Sequence, residues 1–267
     1  MKTCIITIIK NEHNYLEQWI AYNISLGIDT LFIFEDVGSE SHASITDKYE
    51  QVRLMSVLDI YYNDNDREYA IKMREENHPL QYLFQQLAYR RFAKDYDWCF
   101  IIDIDEYITC DLPLQETLSM YDEYDAVVMK WQNYNANGHY RKPAEKYNLI
   151  EAYTEKCGCS SYDAKRDVNN KIILHCPKYK KWLFSQHHPS QHSNWCYTNM
   201  TQDNMTYDHI YLRHYITKSY EEYLHKLYVR GMSYRKHRND TEFFEYNPNM
   251  TDEKKLQEVK ELYDLYR

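Results

Sequence analysis

Glycine is scarce in this chain, with five in 267 residues, where about 7% is usual. Phosphate-binding loops need it, because a Cβ would keep backbone N–H groups from closing on a phosphate. Neither G-x-x-x-x-G-K-[ST] nor G-x-G-x-x-G occurs. That excludes P-loop enzymes and argues against a dinucleotide-binding Rossmann enzyme. Long apolar runs are also missing. None reaches 18 residues, so no segment reads as a membrane span, and the apolar start at residues 1–7 is too short for a signal peptide. Positive charge is in deficit, 32 Lys plus Arg against 41 Asp plus Glu, for a formal charge of −9. Nucleic-acid binders concentrate basic residues, so nucleic acid is not an expected partner. The basic run of Lys178, Lys180 and Lys181 reads as a solvated loop. The seven cysteines lack zinc spacing: Cys157-x-Cys159 with His175-Cys176 matches no standard pattern, nor do His187, His188 and His192. The expectation is a cytoplasmic protein with reduced thiols, at most touching the inner face of a membrane.

What remains is an ordinary globular composition, 43% hydrophobic and 27% charged, with 29 tyrosines. There are no repeats or linkers. The first 110 residues alternate strand and helix signals. Residues 4–9 form a β-branched run, the signature of a strand buried on both faces. Asn14 and Glu17 have capping-box spacing, and Leu16, Trp19, Ile20 and Ile24 form one helical stripe that Gly27 ends. A strand follows over 31–34, ending at Glu35-Asp36, then a helix over 41–50 and a strand over 52–58. Pro79 opens a helix with Leu80, Leu83, Phe84, Leu87 and Ala88 at helical spacing. Residues 98–102 are the most apolar strand, ending at Asp103-Ile104-Asp105-Glu106. This alternation predicts an α/β fold with a mostly parallel sheet. Ligands in such sheets bind beyond the strands' carboxyl ends, where Asn11-Glu12, Glu35-Asp36 and residues 103–106 all fall. A strand over 125–131 comes next. Residues 132–210, rich in Tyr, Asn and His, carry no clear pattern. Ser219 and Glu222 form a second capping box, heading a helix with Tyr223, Leu224, Leu227 and Tyr228 that stops at Gly231. A last helix over 252–266 uses Leu256, Val259, Leu262 and Tyr263.

Asp103 and Asp105 are the sharpest chemical signal. In an extended strand, residues i and i+2 share a face, so both carboxylates point one way while Ile104 enters the core. Two carboxylates there repel unless a cation sits between them, and Mg2+ or Mn2+ prefers such oxygen ligands and shares them with a diphosphate. The plain alternative is a solvated turn extended by Glu106 and Asp111. Asn11 and Glu12 are either a loop leading into the helix or, beside Asp36, hydrogen-bonding groups for a nucleoside. His214 is either a satisfied core histidine or a metal ligand, and Lys218 at a helix start suits a phosphate. The tyrosines, with Trp131, Trp182 and Trp195, are packing residues of which some could stack on a sugar.

In sequence order the motifs are Lys10-Asn11-Glu12, then Leu16 to Tyr22 and Leu26-Gly27-Ile28-Asp29. Phe32 to Asp36, Gln85-Gln86, Trp98 and Ile102 to Tyr107 follow. Last come Asn170-Lys171-Ile172-Ile173, His188 and His214-Tyr215-x-Thr217-Lys218-Ser219 with Gly231. Together they resemble glycosyltransferase family 92 and related family 2-like enzymes over about residues 3–231. The resemblance implies a GT-A fold, with a mixed, mostly parallel central sheet flanked by helices, in one domain over 1–267. About 1–130 would be the nucleotide-sugar half, 131–215 the acceptor half and 216–267 C-terminal helices. It implies an inverting transfer from a nucleotide sugar, UDP-linked, to a saccharide acceptor, glycan or lipid-linked; the low glycine with abundant Tyr, Asn and Lys suggests an AT-rich microbial genome, where such enzymes serve cell-surface polysaccharide synthesis. Asn11, Glu12, Asp36, Asp103, Lys171 and Lys218 would bind the donor, and Asp103, Asp105 and His214 the metal, Mn2+ or Mg2+. A carboxylate must deprotonate the acceptor; Asp208 is favoured over Asp203 and Asp163. Two departures stand out: Glu35-Asp36 where Asp-Asn is common, and Tyr107 where Phe is common. A sugar nucleotidyltransferase and a non-catalytic carbohydrate-binding protein are the competing classes. Contact with a membrane would be peripheral, centred on residues 178–182.

Overall fold

Seven consecutive residues of the sequence TCIITII, all but one of them buried, make β1 (Thr3–Ile9) the spine of the molecule. The computed structural model describes residues 1–61, 67–68, 71, 81–143, 148–157, 170–181, 184–197, 200–201, 204–205, 209–230 and 240–264. They fall into two compact units, Met1–Trp131 with Arg166–Leu212, and Gln132–Lys165 with Arg213–Arg267.

In the first unit β1 pairs in parallel with β2 (Thr30–Glu35) on one side and β4 (Trp98–Ile101) on the other. The strand β3 (Val52–Ser56) adds in parallel to β2. Next to β4 the direction reverses: β7 (Asn170–His175) runs antiparallel to both β4 and β6 (Ala126–Asn133). The sheet order is β3-β2-β1-β4-β7-β6-β11-β5, where β5 is Glu106–Cys110 and β11 is Ile210–His214, and β8 (Trp195–Tyr197) pairs in parallel with β6. The sheet is thus mixed and mostly parallel, the α/β class expected from the sequence. Residues such as Cys4, Ile6, Phe34, Ile101, Val128 and Ile172 line one sheet face, packed on Phe84, Ala88 and Tyr89 of the helix Gln81–Phe92. A short ribbon, β9 (Met200–Thr201) with β10 (Asn204–Met205), stands apart.

The helix α1 (Leu16–Leu26) buries Leu16, Trp19 and Ile20, and it stops at Gly27, whose φ of 99° lets its N–H reach the Ile24 and Asn23 carbonyls. Its start differs from expectation: the cap position is Tyr15 and no side chain caps it. The 41–50 helix shrinks to α2 (Ala43–Thr46), and the strand over 52–58 ends at Ser56. There Ser56 and Asp59 form a capping box that turns Val57–Ile60 into a 3-10 helix. The helix Gln81–Phe92, α3, buries Phe84 and Ala88 but leaves Leu83 46% exposed, off the apolar stripe. Pro79 and Leu80 lie outside the described residues.

The second unit has its own core, Tyr220, Tyr223, Leu224, Phe243, Met250, Val259 and Tyr263. Ser219 caps its helix Tyr220–His225 through Glu222, as its spacing predicts, and the chain continues as a π-helix over Lys226–Arg230. Gly231 lies outside the described residues. The last helix is shorter than expected, Glu253–Glu261 with Asp252 as cap, and Leu262 beyond it is 48% exposed rather than part of the buried stripe. Among the described residues no helix is long and apolar enough to cross a membrane.

Candidate functional site

The three parallel strands β1, β2 and β4 end at Ile9, Glu35 and Ile101, Ile9 opposite Glu35 and Ile101 opposite Ile6, so the residues after them lie toward one end of the sheet. After β1, Asn11 takes a left-handed conformation, φ 52°, which asparagine tolerates better than most residues. Its Oδ1 accepts the Glu40 N–H at 2.8 Å, and its own N–H donates to Ser39 Oγ at 3.2 Å. The Glu12 N–H donates to Nε2 of the fully buried His42 at 2.9 Å, which leaves the ring proton on Nδ1, directed at Glu35 Oε1 at 3.0 Å. Burial lowers the His42 pKa against the opposing pull of Glu35, keeping the ring neutral. His13 stacks on it at 4.0 Å. Asp36 is 8% exposed, and its Oδ1 accepts the Val37 N–H at 2.9 Å. Asn11, Glu12 and Asp36 therefore sit in one interlocked pair of loops.

After β4 comes the acidic turn. The strand ends at Ile101, not Ile102, and residues 103–106 close a turn in which the Glu106 N–H donates to the Asp103 carbonyl at 3.1 Å. The extended geometry assumed for Asp103 and Asp105 is therefore absent; Ile104 is buried as expected, at 4% exposure. The turn is not a solvated one either. Glu106 is fully buried, its Oε2 accepts the Asp103 N–H at 2.9 Å, and its carbonyl accepts the Trp19 indole N–H at 2.9 Å. Burial raises the Glu106 pKa well above the carboxylate range, against the pull of Lys171.

Lys171, at the start of β7, answers the acidic turn. Its side chain is fully buried, and Nζ lies 2.6 Å from Asp103 Oδ2 and 3.6 Å from Glu106 Oε1. Burial pulls its pKa down, but the carboxylates, Asp103 foremost, outweigh it and hold the ammonium above its usual value. Nζ also donates to Gln186 Oε1 at 2.7 Å, and sits 5.9 Å over the Trp131 ring. Gln186 gathers further partners: Gln81 at 2.8 Å and Gln85 at 3.3 Å donate to the same oxygen, and its amide donates to His187 Nε2 at 3.1 Å. His187 Nδ1 donates in turn to the Asn170 carbonyl at 2.7 Å. Burial, then Lys171, lowers the His187 pKa to about 4. Gln81, Gln186 and His187 are absent from the site read from the sequence: Gln81 opens a helix that the apolar spacing alone marks, His187 reads only as one of several histidines without zinc spacing, and the segment of Gln186 carries no periodic signal.

Lys171, Asp103 and Asp105 thus belong to one edge of the first unit, with Asn11, Glu12 and Asp36 on the neighbouring strand ends. His214 and Lys218 are in the second unit. His214 Nδ1 meets Asn133 Oδ1 at 2.9 Å, so Nδ1 carries the proton and the lone pair is on Nε2. Lys218 is half-buried with a left-handed φ of 56°, one residue before the Ser219 cap. Asp208, Asp203 and Asp163 lie outside the described residues, as does Trp182. The Lys178 ammonium donates to the Asp122 carbonyl, while Lys180 and Lys181 are exposed.

The chain is a mixed α/β protein that delivers an acidic, amide-lined turn to the edge where its parallel strands end. No family model matches it, and no curated protein matches it. Among solved structures it is similar to HddC from Yersinia pseudotuberculosis, at 10% identity over 74% of this chain and 89% of that one, TM-score 0.40. It is also similar to glucosyl-3-phosphoglycerate synthase from Mycobacterium tuberculosis, a complex with Mn2+, UDP and glucosyl-3-phosphoglycerate, at 12% identity over 67% and 58% of the chains, TM-score 0.34. The mannosyltransferase Ktr4p from S. cerevisiae aligns at 15% identity over 52% and 41%, TM-score 0.30.

Proposed function

We propose that the protein is a metal-dependent glycosyltransferase of the GT-A type. It would take a UDP-linked sugar and transfer it with inversion to a saccharide acceptor in cell-surface polysaccharide synthesis. The observation that carries this is the turn at residues 103–106, a carboxylate cluster at the end of a buried parallel strand with one buried lysine against it. Its donor set suits a divalent cation: hard oxygens from Asp103 and Asp105, beside the buried Glu106 Oε1, which has no hydrogen-bond partner. A cation held there supplies charge stabilisation to a departing diphosphate. In this proposal Asp103 and Asp105 hold it with His214, whose Nδ1–H tautomer is the one that ligates through Nε2. Asn11, Glu12 and Asp36 position the nucleoside and Lys218 a phosphate oxygen; Lys171, in place of the donor contact that the resemblance implies, positions the acidic turn, its ammonium being taken up by Asp103 and Gln186. Asp208 is the proposed base. Membership of glycosyltransferase family 92 is part of the same proposal, as are a cytoplasmic location and peripheral membrane contact through residues 178–182.

A nucleotidyltransferase would also use acidic residues on such a sheet, but it grips a triphosphate with a glycine-rich loop. Here the loop after β1 has no glycine, and it is occupied by the Asn11–Glu40 and Glu12–His42 hydrogen bonds.

The test is UDP release from a panel of UDP-sugars with Mn2+, before and after EDTA. Asp105→Asn keeps the shape and removes a charge; release is expected to fall by on the order of 10². Folded Asp105→Asn that keeps, in EDTA, the activity of wild type with Mn2+ would sink the metal assignment.

A further inference from the structure

Lysine is a compact, strongly hydrated charge that seldom gives up all contact with water. Lys171 has done so, and its surroundings account for its donors: Asp103 Oδ2 at 2.6 Å, Gln186 Oε1 at 2.7 Å and, farther off, Glu106 Oε1 at 3.6 Å. Backbone pairing fixes it there. Ile172 pairs with Ile101, so Lys171, one residue before it on the antiparallel strand, falls across from Ile102, where β4 gives way to the acidic turn. Gln186, itself held by Gln81 and Gln85 of α3, prevents the ammonium from swinging away. The turn thus has a permanent unit charge inside it.

Resting on the proposed metal-dependent transfer, we propose that Lys171 is a built-in counter-cation that weakens binding of a divalent ion alone and strengthens binding of that ion together with a nucleoside diphosphate. Count the charge on Asp103, Asp105 and position 171. With lysine it is −1, and it becomes +1 once a divalent cation is present. With a neutral residue it is −2, becoming zero. The count leaves Glu106 out, because Lys171 opposes the rise in its pKa; on a Glu106→Gln background its charge is zero in both cases. The lysine therefore repels an incoming cation at short range in a buried setting, where screening by salt is slight. After loading, it leaves the turn positive, so that an anionic diphosphate is attracted. Lys171 acts through the turn and touches neither ligand; it is a positioning residue.

The experiment uses Mn2+ alone and then UDP at saturating Mn2+, titrated calorimetrically into wild type and Lys171→Met. In the variant, affinity for Mn2+ alone is expected to rise about tenfold and affinity for UDP to fall about tenfold. A lysine that merely holds the fold together would lower both, so the opposite movement is the signature. Lys171→Gln, which keeps a donor toward Asp103, serves if thermal melting shows Lys171→Met to be unfolded. In wild type, UDP should also raise Mn2+ affinity at least about tenfold; equal affinity with and without UDP overturns the inference. So does a folded variant whose two affinities stay put or fall together. Wild type that binds neither Mn2+ nor UDP overturns the transferase proposal instead.

Discussion

Asp103 and Glu106 hold each other through both backbone and side chain: the Asp103 N–H donates to Glu106 Oε2 at 2.9 Å while the Glu106 N–H donates to the Asp103 carbonyl at 3.1 Å. The second carboxylate of this pair is buried and the first is one-third exposed. The turn is therefore a rigid block, with Glu106 as its inner post and Asp103 as its outer one.

The inner post has a pH signature. Burial raises the Glu106 pKa above its unfolded value, so the folded state binds this proton more tightly. Stability from that proton is fully present below the unfolded value near pH 4.5 and is lost as pH rises toward the folded pKa. Glu106→Gln mimics the neutral acid. Its melting temperature relative to wild type should therefore increase steadily from pH 4.5 upward, and a difference that stays flat with pH would contradict the burial argument.

Acid should act on His187 in the opposite sense. Its pKa falls from 6.5 to about 4, so its contribution is present above pH 6.5 and is lost as pH falls from there to about 4. The loss is at most roughly 3 kcal/mol at 1.36 kcal/mol per unit. His187→Asn should flatten the wild-type stability profile within that window, measured by urea unfolding at several pH values. An unchanged profile would mean that another group dominates there.

Trp19 links the core to the site. It is fully buried, and its indole N–H donates to the Glu106 carbonyl at 2.9 Å. Trp19→Phe removes that donor and opens a void, a cost of about 2–4 kcal/mol. Because the turn loses its anchor, Mn2+ affinity should fall as well. Equal metal affinity in a folded Trp19→Phe would show that the turn keeps its geometry without α1.

In the second unit Ser219 Oγ accepts the Glu222 N–H at 3.2 Å and completes a capping box. Ser219→Ala should cost about 1 kcal/mol by chemical denaturation. A change under about 0.3 kcal/mol would indicate that the Tyr153 hydroxyl, which accepts the Ser219 N–H at 3.0 Å, holds the helix start unaided.

Much of the first unit is legible because its signals are local. The β-branched run of β1, the Gly27 stop and the apolar burst of β4 each act within a few residues, and the Ser219–Glu222 spacing works the same way. The Asn14 cap misled because the loop before α1 is fixed from elsewhere: Glu12 is held by His42, thirty residues on. The acidic residues were readable as residues but not as geometry, since a turn closed by Glu106 and an extended strand end carry the same letters. Gln186 was invisible, and His187 readable only as a histidine without zinc spacing, for a different reason. Their roles depend on a lysine from β7 and glutamines from α3, and no periodicity in their own segment records such partners.

The pairing of Asp103 with Lys171 also has a temporal side. The two residues are 68 apart in the chain, so at ordinary synthesis rates the acidic turn leaves the ribosome roughly 3–14 s before its lysine. Through that interval β1, β2 and β4 can already pair in parallel, but Glu106 has no ammonium to accompany it out of water. In the folded sheet β7 lies between β4 and β6, and its pairing with β4 brings Lys171 to the turn. The reversal of strand direction at β7 therefore marks the point in synthesis at which the turn meets its own counter-charge, ahead of β8 and β11, which complete the sheet.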